Sequence, residues 1–438
     1  MSSHSHLLQH QDAAIINTAD RAILAKLSCV EKGYYDDPFL RPMSRGAGGS
    51  ESSPRGTPSI MEPIIRKGTH ARVLAVERAI SAFLSLPLNK PNAKRQLVVL
   101  GSGRDTTYLR YRFGHLISKD VAVGEPSNNS NEFLRWYEVD HPSVIHRKAI
   151  EWLRSCIPKG FEYTRSSITH ESDSNESYVI SISENEQTKD SANDTNSHAS
   201  NYHLIGFDLR RPTSELFDIL SHPEHGYDKS VPTLFVLECV VMYLPEDASR
   251  ELLQHLAESV NDNQTQINED SFVAVAMYDP VPCNDRFGEV MIQNLQSAGI
   301  VGRRRHNAGV SLSNENSKRK EDETLPVLSL ETTRTVPDQL SKLTQCGFDI
   351  AVGCDMMTAY DHGIISIDDR RRAARCEVLD ELEEFVLLMK HYCFMVAVRC
   401  GGANGSSETS VGYSLCSIGK DSLMGFQEGK CTSSKRIN

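Results

Sequence analysis

The chain lacks most of the features that assign a function outright. Its eleven cysteines include no Cys-x-x-Cys pair, and its histidines show no cluster at ligand spacing, so no metal is expected. No apolar run approaches the roughly 20 residues that span a bilayer, so no membrane association is expected. Met1–Gln11 is rich in His and Ser and does not read as a basic stretch followed by an apolar one, unlike a secretory signal. With many unpaired thiols, that points to a reducing compartment, the cytoplasm. Positive charge is also short: 47 Lys and Arg stand against 58 Asp and Glu, a net charge of −11. General nucleic-acid binding, which needs a basic face, is therefore not expected. No persuasive Ser-His-Asp or Cys-His arrangement suggests a nucleophilic enzyme.

What is present is the balance of a soluble globular protein: 438 residues, 39% hydrophobic and 24% charged. Four polar stretches interrupt it. Residues 41–59 are rich in Gly, Ser and Pro and suit a flexible linker after an N-terminal segment, 1–40. Residues 164–200, dominated by Ser, Asn, Asp and Glu, are expected not to order themselves, and 302–325 form a second polar insertion. The tail, 401–438, is expected to be disordered, which leaves 60–400 as the main domain.

Between these stretches strands and helices alternate. Candidate strands are Gln96–Leu100, Phe133–Val139, Tyr202–Ile205, Thr233–Leu237, Ser271–Met277 and His391–Arg399, with Gly347–Val352 a weaker one. A helix over His70–Leu84 aligns Val73, Val76, Ile80 and Phe83 on one stripe. Others are expected over Pro142–Cys156, over Leu244–Val260 with Leu252, Leu253 and Leu256 inward, and over Cys376–Lys390 with Leu379, Leu382, Val386 and Met389. This succession predicts an α/β fold, a mostly parallel Rossmann-like sheet with helices on both faces. Ligands of such sheets sit beyond the carboxyl ends of the strands.

The strand ends carry chemistry. The first strand runs into Gly101-Ser102-Gly103, where two glycines permit a tight turn and close backbone approach to a ligand. The third glycine of a dinucleotide fingerprint is replaced by Thr106, which argues against an NAD-linked oxidoreductase. Asp140, ending the second strand, suits either a ribose diol or a cap for the next helix. Asp208 with Leu209 ends the third strand and suits an adenine amino group beside its ring. Glu238 ends the fourth. Their convergence at one sheet edge predicts a single site.

The blocks RKGTHARVLAVERAISAFL, VVLGSGRDTTYLR, YEVDHPSVIHRKA, GFDLR, PTLFVLECVVMYLP, NDRFGEVMIQNL and LDELEEFVLLMKHYC resemble the leucine carboxyl methyltransferase family, in matching order. The resemblance implies a class I S-adenosylmethionine-dependent methyltransferase. Its implied reaction esterifies the C-terminal leucine of the protein phosphatase 2A catalytic subunit, its implied partner. It implies a monomer. It places Gly101 and Gly103 in the cofactor turn, Asp140 on the ribose, and Asp208 and Leu209 at the adenine. Glu238 falls beside the methionyl portion, where Arg72 and Lys26 hold its carboxylate. The acceptor is already ionised, so the implied catalysis is placement, with Arg72 and Tyr243 as the candidate catalytic residues. Tyr243 suits either an orienting hydroxyl or a packed aromatic. Two rivals remain, a relative acting on transfer-RNA modification intermediates and a non-catalytic cofactor- or phosphatase-binding protein. The basic run GRRRH at 302–306 reads as a solvated loop, while RRRAAR at 370–375 precedes a helix and is open to contact with an acidic partner.

Overall fold

A computed structural model describes residues 3–47, 61–88, 93–116, 134–156, 161–168, 177–184, 201–260, 271–297, 328–401, 411–417 and 427–430. The strands are β1 Arg95–Leu100, β2 Leu134–Asp140, β3 Phe161–Ile168, β4 Ser177–Glu184, β5 Tyr202–Gly206, β6 Thr233–Glu238, β7 Phe272–Pro280, β8 Ile350–Asp355, β9 Tyr392–Cys400 and β10 Gln427–Lys430. They form one sheet in the order β10-β8-β9-β7-β6-β1-β2-β5-β4-β3. The central run β7-β6-β1-β2-β5 is parallel, and antiparallel strands extend it at both edges. From β1 the chain winds outward to β2 and β5, then returns to β6 and β7 on the other side. The switch between β1 and β6 opens the crevice in which such sheets bind ligands.

Side chains alternate across this sheet as the pleat requires. Leu97, Trp136, Leu204 and Leu234 face one core, which helices Ser3–Glu31, Pro63–Leu84 and Pro142–Glu151 cover. Val98, Tyr137, Ile205 and Phe235 face the other, beneath helices Thr213–Leu220, Glu246–Glu258 and Val336–Gln345. Helices therefore lie on both faces, and the fold is Rossmann-like. No helix among the described residues is long and apolar enough to cross a membrane.

Several expectations shift. Part of 164–200 is ordered: β4 pairs β5, Tyr178, Ile180 and Ile182 enter one core, and Val179 enters the other. The polar composition of the stretch masks this short apolar segment, which a strand of β5 already waits to pair. The tail likewise contributes a turn of helix at Val411–Ser417 and β10, and Leu40–Met43 is helical at the start of the expected linker. The helix expected from His70 begins at Pro63, with Pro in its first turn. The helix expected from Cys376 begins at Leu382, which is 62% exposed, and its buried residues are Phe385 and Met389. Before it, Glu377 lies in extended backbone, where it meets the Arg66 guanidinium and accepts the Tyr34 hydroxyl at 2.7 Å. The RRRAAR run lies on helix Ile367–Cys376, where Arg371 and Arg372 pair with Asp368 and Asp369 one turn earlier. Phe133 and the GRRRH run lie outside the described residues.

The N-terminal segment is pinned by a buried ion cluster. Arg110 meets Glu77 of helix Pro63–Leu84 and, through Nε at 3.3 Å, Asp37 just beyond helix Ser3–Glu31. Asp37 also accepts the Thr106 hydroxyl at 2.5 Å. Removing one partner of a buried cluster leaves the others charged and dry. Arg110→Ala is therefore expected to cost about 3–5 kcal/mol in denaturant unfolding. A loss below about 1 kcal/mol would show that the segment is held by packing alone.

Candidate active site

The site begins at the turn after β1. Gly101 and Gly103 adopt φ of +66° and +55°, and a Cβ on Gly101 would lie 2.4 Å from Val240 Cγ2. A larger residue is excluded twice there, by conformation and by space. The turn is tied sideways to β2: the Gly103 N–H donates to Asp140 Oδ2 at 2.6 Å, and the His141 N–H donates to Oδ1 at 2.6 Å. Asp140 therefore does not cap the following helix. His141 does, its Nδ1 accepting the Ser143 N–H at 3.3 Å. Burial raises the Asp140 carboxyl, against the two N–H groups that favour its ionised form.

Two cations and two carboxylates meet beside this turn. Lys26, on helix Ser3–Glu31, places Nζ 2.6 Å from Asp105 Oδ2 and 3.2 Å from Glu238 Oε2. Arg72, on helix Pro63–Leu84, donates through Nε to the other oxygen of Glu238. The four side chains are only 9–21% exposed. Burial alone would lower the Lys26 ammonium, but Asp105 and Glu238 hold it above its usual value. Burial likewise opposes ionisation of Glu238 and Asp105, yet the neighbouring cations carry both below the ordinary carboxylate range. All four are charged at neutral pH.

Around them β6 ends in an unusual turn, with Cys239 at φ +56° leading into the short helical turn Val241–Tyr243. The Arg72 guanidinium lies 5.3 Å over the Tyr278 ring, which stacks on Tyr392. At the far strand, Arg210 grips both oxygens of Asp208, at 2.9 and 2.6 Å, and against the cost of burial lowers its pKa. All of this lines one cavity of about 720 Å³, within the roughly 300–1,000 Å³ of small-molecule sites. Lys26, Arg72, Gly101, Gly103, Asp140, Asp208, Leu209, Glu238 and Tyr243 all line it, so every residue singled out in the sequence is brought together. Phe287, Met291, Leu295 and Tyr392 form an apolar wall.

Several participants were not read from the sequence. Asp105 stands inside the quoted GSGRDTT block, and its acid beside the glycine turn was a usable signal. Arg210, adjacent to Asp208, was another. The pairing of Tyr278 with Tyr392 had none, because it depends on β7 and β9 being neighbours. The Cys239 thiol is pushed up to about 12 by burial, which removes it as a nucleophile. The arrangement offers cations for an anionic group, carboxylates for a cationic one and acceptors for a diol, each fixed in position. Away from this pocket, a turn that sequence spacing did not single out brings ligand atoms of His222, Glu224 and His225 within 4.8 Å of one another.

A family model described as leucine carboxyl methyltransferase matches residues 14–257. Among curated relatives, leucine carboxyl methyltransferase 1 homolog of Arabidopsis thaliana is 27% identical over 88% of this chain and 90% of its own length. Leucine carboxyl methyltransferase 1 of Rattus norvegicus is 26% identical over 93% and 96%. Among solved structures, a putative methyltransferase from Thermobifida fusca aligns over 77% of this chain and 82% of its own, at 12% identity and a TM-score of 0.39.

Behind the pocket, Asp279 is 1% exposed, and burial raises its carboxyl to about 8. Its Oδ1 has no hydrogen-bond partner. Folded, it keeps its proton where the unfolded chain has lost it, so its contribution is complete below about pH 4 and is lost as pH rises through about 8. Asp279→Asn is expected to remove that part of the decline, so melting temperatures of the two proteins diverge from pH 5 to 8 in favour of the variant. Parallel melting curves across that range would show that Asp279 ionises normally.

Proposed function

Because this chain belongs to the leucine carboxyl methyltransferase family, we propose that it methylates the α-carboxylate of a C-terminal leucine, that of the protein phosphatase 2A catalytic subunit. At the coarser level it is an S-adenosylmethionine-dependent methyltransferase acting on a carboxyl group. The finer reading rests on one observation above the others. Lys26 and Arg72 converge on Glu238 in the same cavity that holds Asp140 and Asp208 at adjoining strand ends.

The residues fit the cofactor piece by piece. The carboxylate of its methionyl portion suits Arg72 and Lys26, a planar fork and a point charge, with Glu238 between them for the amine. Asp140 retains acceptor capacity for the ribose diol after binding two backbone N–H groups. Asp208 suits the adenine amino group, with Leu209 packed beside it. The glycine turn, which a Cβ on Gly101 would block, leaves room for close backbone approach. When bound, S-adenosylmethionine supplies an electrophilic methyl group carried on a sulfonium.

The chain's own task is then placement. A terminal α-carboxyl, with an ordinary pKa of about 3.5, is ionised at neutral pH and needs no residue to remove a proton. The apolar wall of Phe287, Met291 and Leu295 suits a leucine side chain and keeps water from the reacting oxygen. Burial raises the Tyr243 phenol, so it stays protonated and donates to the acceptor carboxylate. In this reading the enzyme works as a monomer in the cytoplasm.

Purified chain is to be incubated with labelled S-adenosylmethionine and the phosphatase catalytic subunit, beside the same subunit lacking its last leucine. Label only on the intact subunit, released by mild base, supports the proposal. Label on both, or on neither, overturns it. Gly101→Ala is expected to weaken S-adenosylmethionine binding about tenfold or more, about 1.4 kcal/mol or more, by calorimetry. Undiminished affinity would remove the turn from the cofactor site. Arg72→Ala is expected to lower both affinity and turnover, and unchanged values would refute its assignment.

A further inference from the structure

We propose that His222, Glu224 and His225 form a binding site for one divalent cation of the zinc class, at the edge of the sheet opposite the methyl-transfer site. The three residues occupy a tight turn at the end of helix Thr213–Leu220. The His225 and Gly226 N–H groups both donate to the His222 carbonyl, at 2.8 and 2.9 Å, and Gly226 takes φ +68°. The turn is fastened from below by β2, whose Tyr137 hydroxyl donates to the His225 carbonyl at 2.8 Å. It is fastened also by β1, whose Gln96 exchanges two hydrogen bonds with the Asp228 backbone. Arg95 and Gln96 open β1, so the turn sits at the amino ends of the strands. The glycine turn and its acids lie at their carboxyl ends.

His225 points to a ligand. The residue is 2% exposed, and its Nδ1 lies 2.6 Å from the Ile219 carbonyl oxygen. A carbonyl only accepts, so Nδ1 carries the proton and Nε2 presents a lone pair. That Nε2 is buried without a hydrogen-bond partner. An imidazole whose second nitrogen donates to a backbone carbonyl is the usual arrangement of a metal-ligating histidine. One atom each from His222, Glu224 and His225 lies within 4.8 Å of the others, so small rotations of the exposed His222 and Glu224 side chains would close all three onto one cation. His222 and Glu224 are exposed, so a cation can reach the site from solvent. The helix that ends here points its carbonyl-rich, partially negative terminus toward the turn, which favours a cation further. Two imidazoles and one carboxylate form a borderline donor set suited to zinc, with water completing four-fold coordination. A cation held there would clamp the turn to the sheet.

The test uses the full chain, stripped of metal and titrated with zinc chloride by calorimetry, and with cobalt chloride as a spectroscopic probe. Eleven cysteines and fourteen other histidines compete for zinc, so the reading is the difference between proteins. The comparison is with His222→Ala and the double variant His222→Ala/Glu224→Ala, both altered only at exposed positions that leave His225 and the core in place. One equivalent of tight binding in the wild type is expected. It should weaken about tenfold or more in the single variant and disappear in the double, together with the visible d–d bands of four-coordinate cobalt. Zinc should also raise the melting temperature of the wild type and not of the double variant. Equal stoichiometry, affinity and thermal shift in all three proteins would overturn the proposal.

Discussion

The rest of the structure is organised by the need to keep four charges paired out of water. Lys26, Asp105, Glu238 and Arg72 form a nearly buried chain of alternating sign. Each would be costly to bury alone, and together they satisfy one another. Because they come from the N-terminal helix, the turn after β1, the end of β6 and helix Pro63–Leu84, pairing them fixes where those pieces lie. The same constraint makes a binding site. In the proposed reading, a zwitterionic ligand end would find cations and carboxylates already charged, oriented and partly desolvated, so little reorganisation would remain when it arrives.

The sheet supplies the second half of the arrangement. Parallel strands β5, β2, β1 and β6 end at one edge, so acids that follow them in sequence become neighbours in space. Asp140 links two of these ends directly, holding the glycine turn of β1 from the end of β2. The left-handed Cys239 performs a similar task for β6, turning the chain sharply so that Val240 abuts Gly101. The antiparallel strands at the edges add width to the sheet, and β9 also brings Tyr392 to the pocket wall.

The centre was the most legible part of the sequence. Strands with continuous apolar runs, such as Leu97–Leu100 and Leu234–Leu237, announce themselves, and the residue after each one is then a marked position. Legibility failed where tertiary partners override local pattern. Leu382 has helical spacing with Val386 and Met389, but it opens the helix at its exposed end, while Glu377 before it is held by Arg66 in extended backbone. Tyr178–Ile182 is a short apolar run in a Ser- and Asn-rich stretch, and only the open edge of β5 makes it a strand. The turn at His222–His225 proposed to hold a cation follows no familiar metal motif, and its geometry arises from a helix end and two strands beneath it.

The ion chain also constrains how the protein comes into being. Its members lie at positions 26, 72, 105 and 238, so the first and last must meet across more than two hundred residues of chain. Contacts of such separation are slow to form, since loop closure must come before they stabilise anything. On the ribosome, the N-terminal helix emerges long before β6 exists and spends that interval with Lys26 unmatched by Glu238. Ligand-binding competence is therefore a late event in folding, reached only after the middle of the sheet has closed. A chain interrupted before β6 would carry most of the pocket's residues and have no pocket.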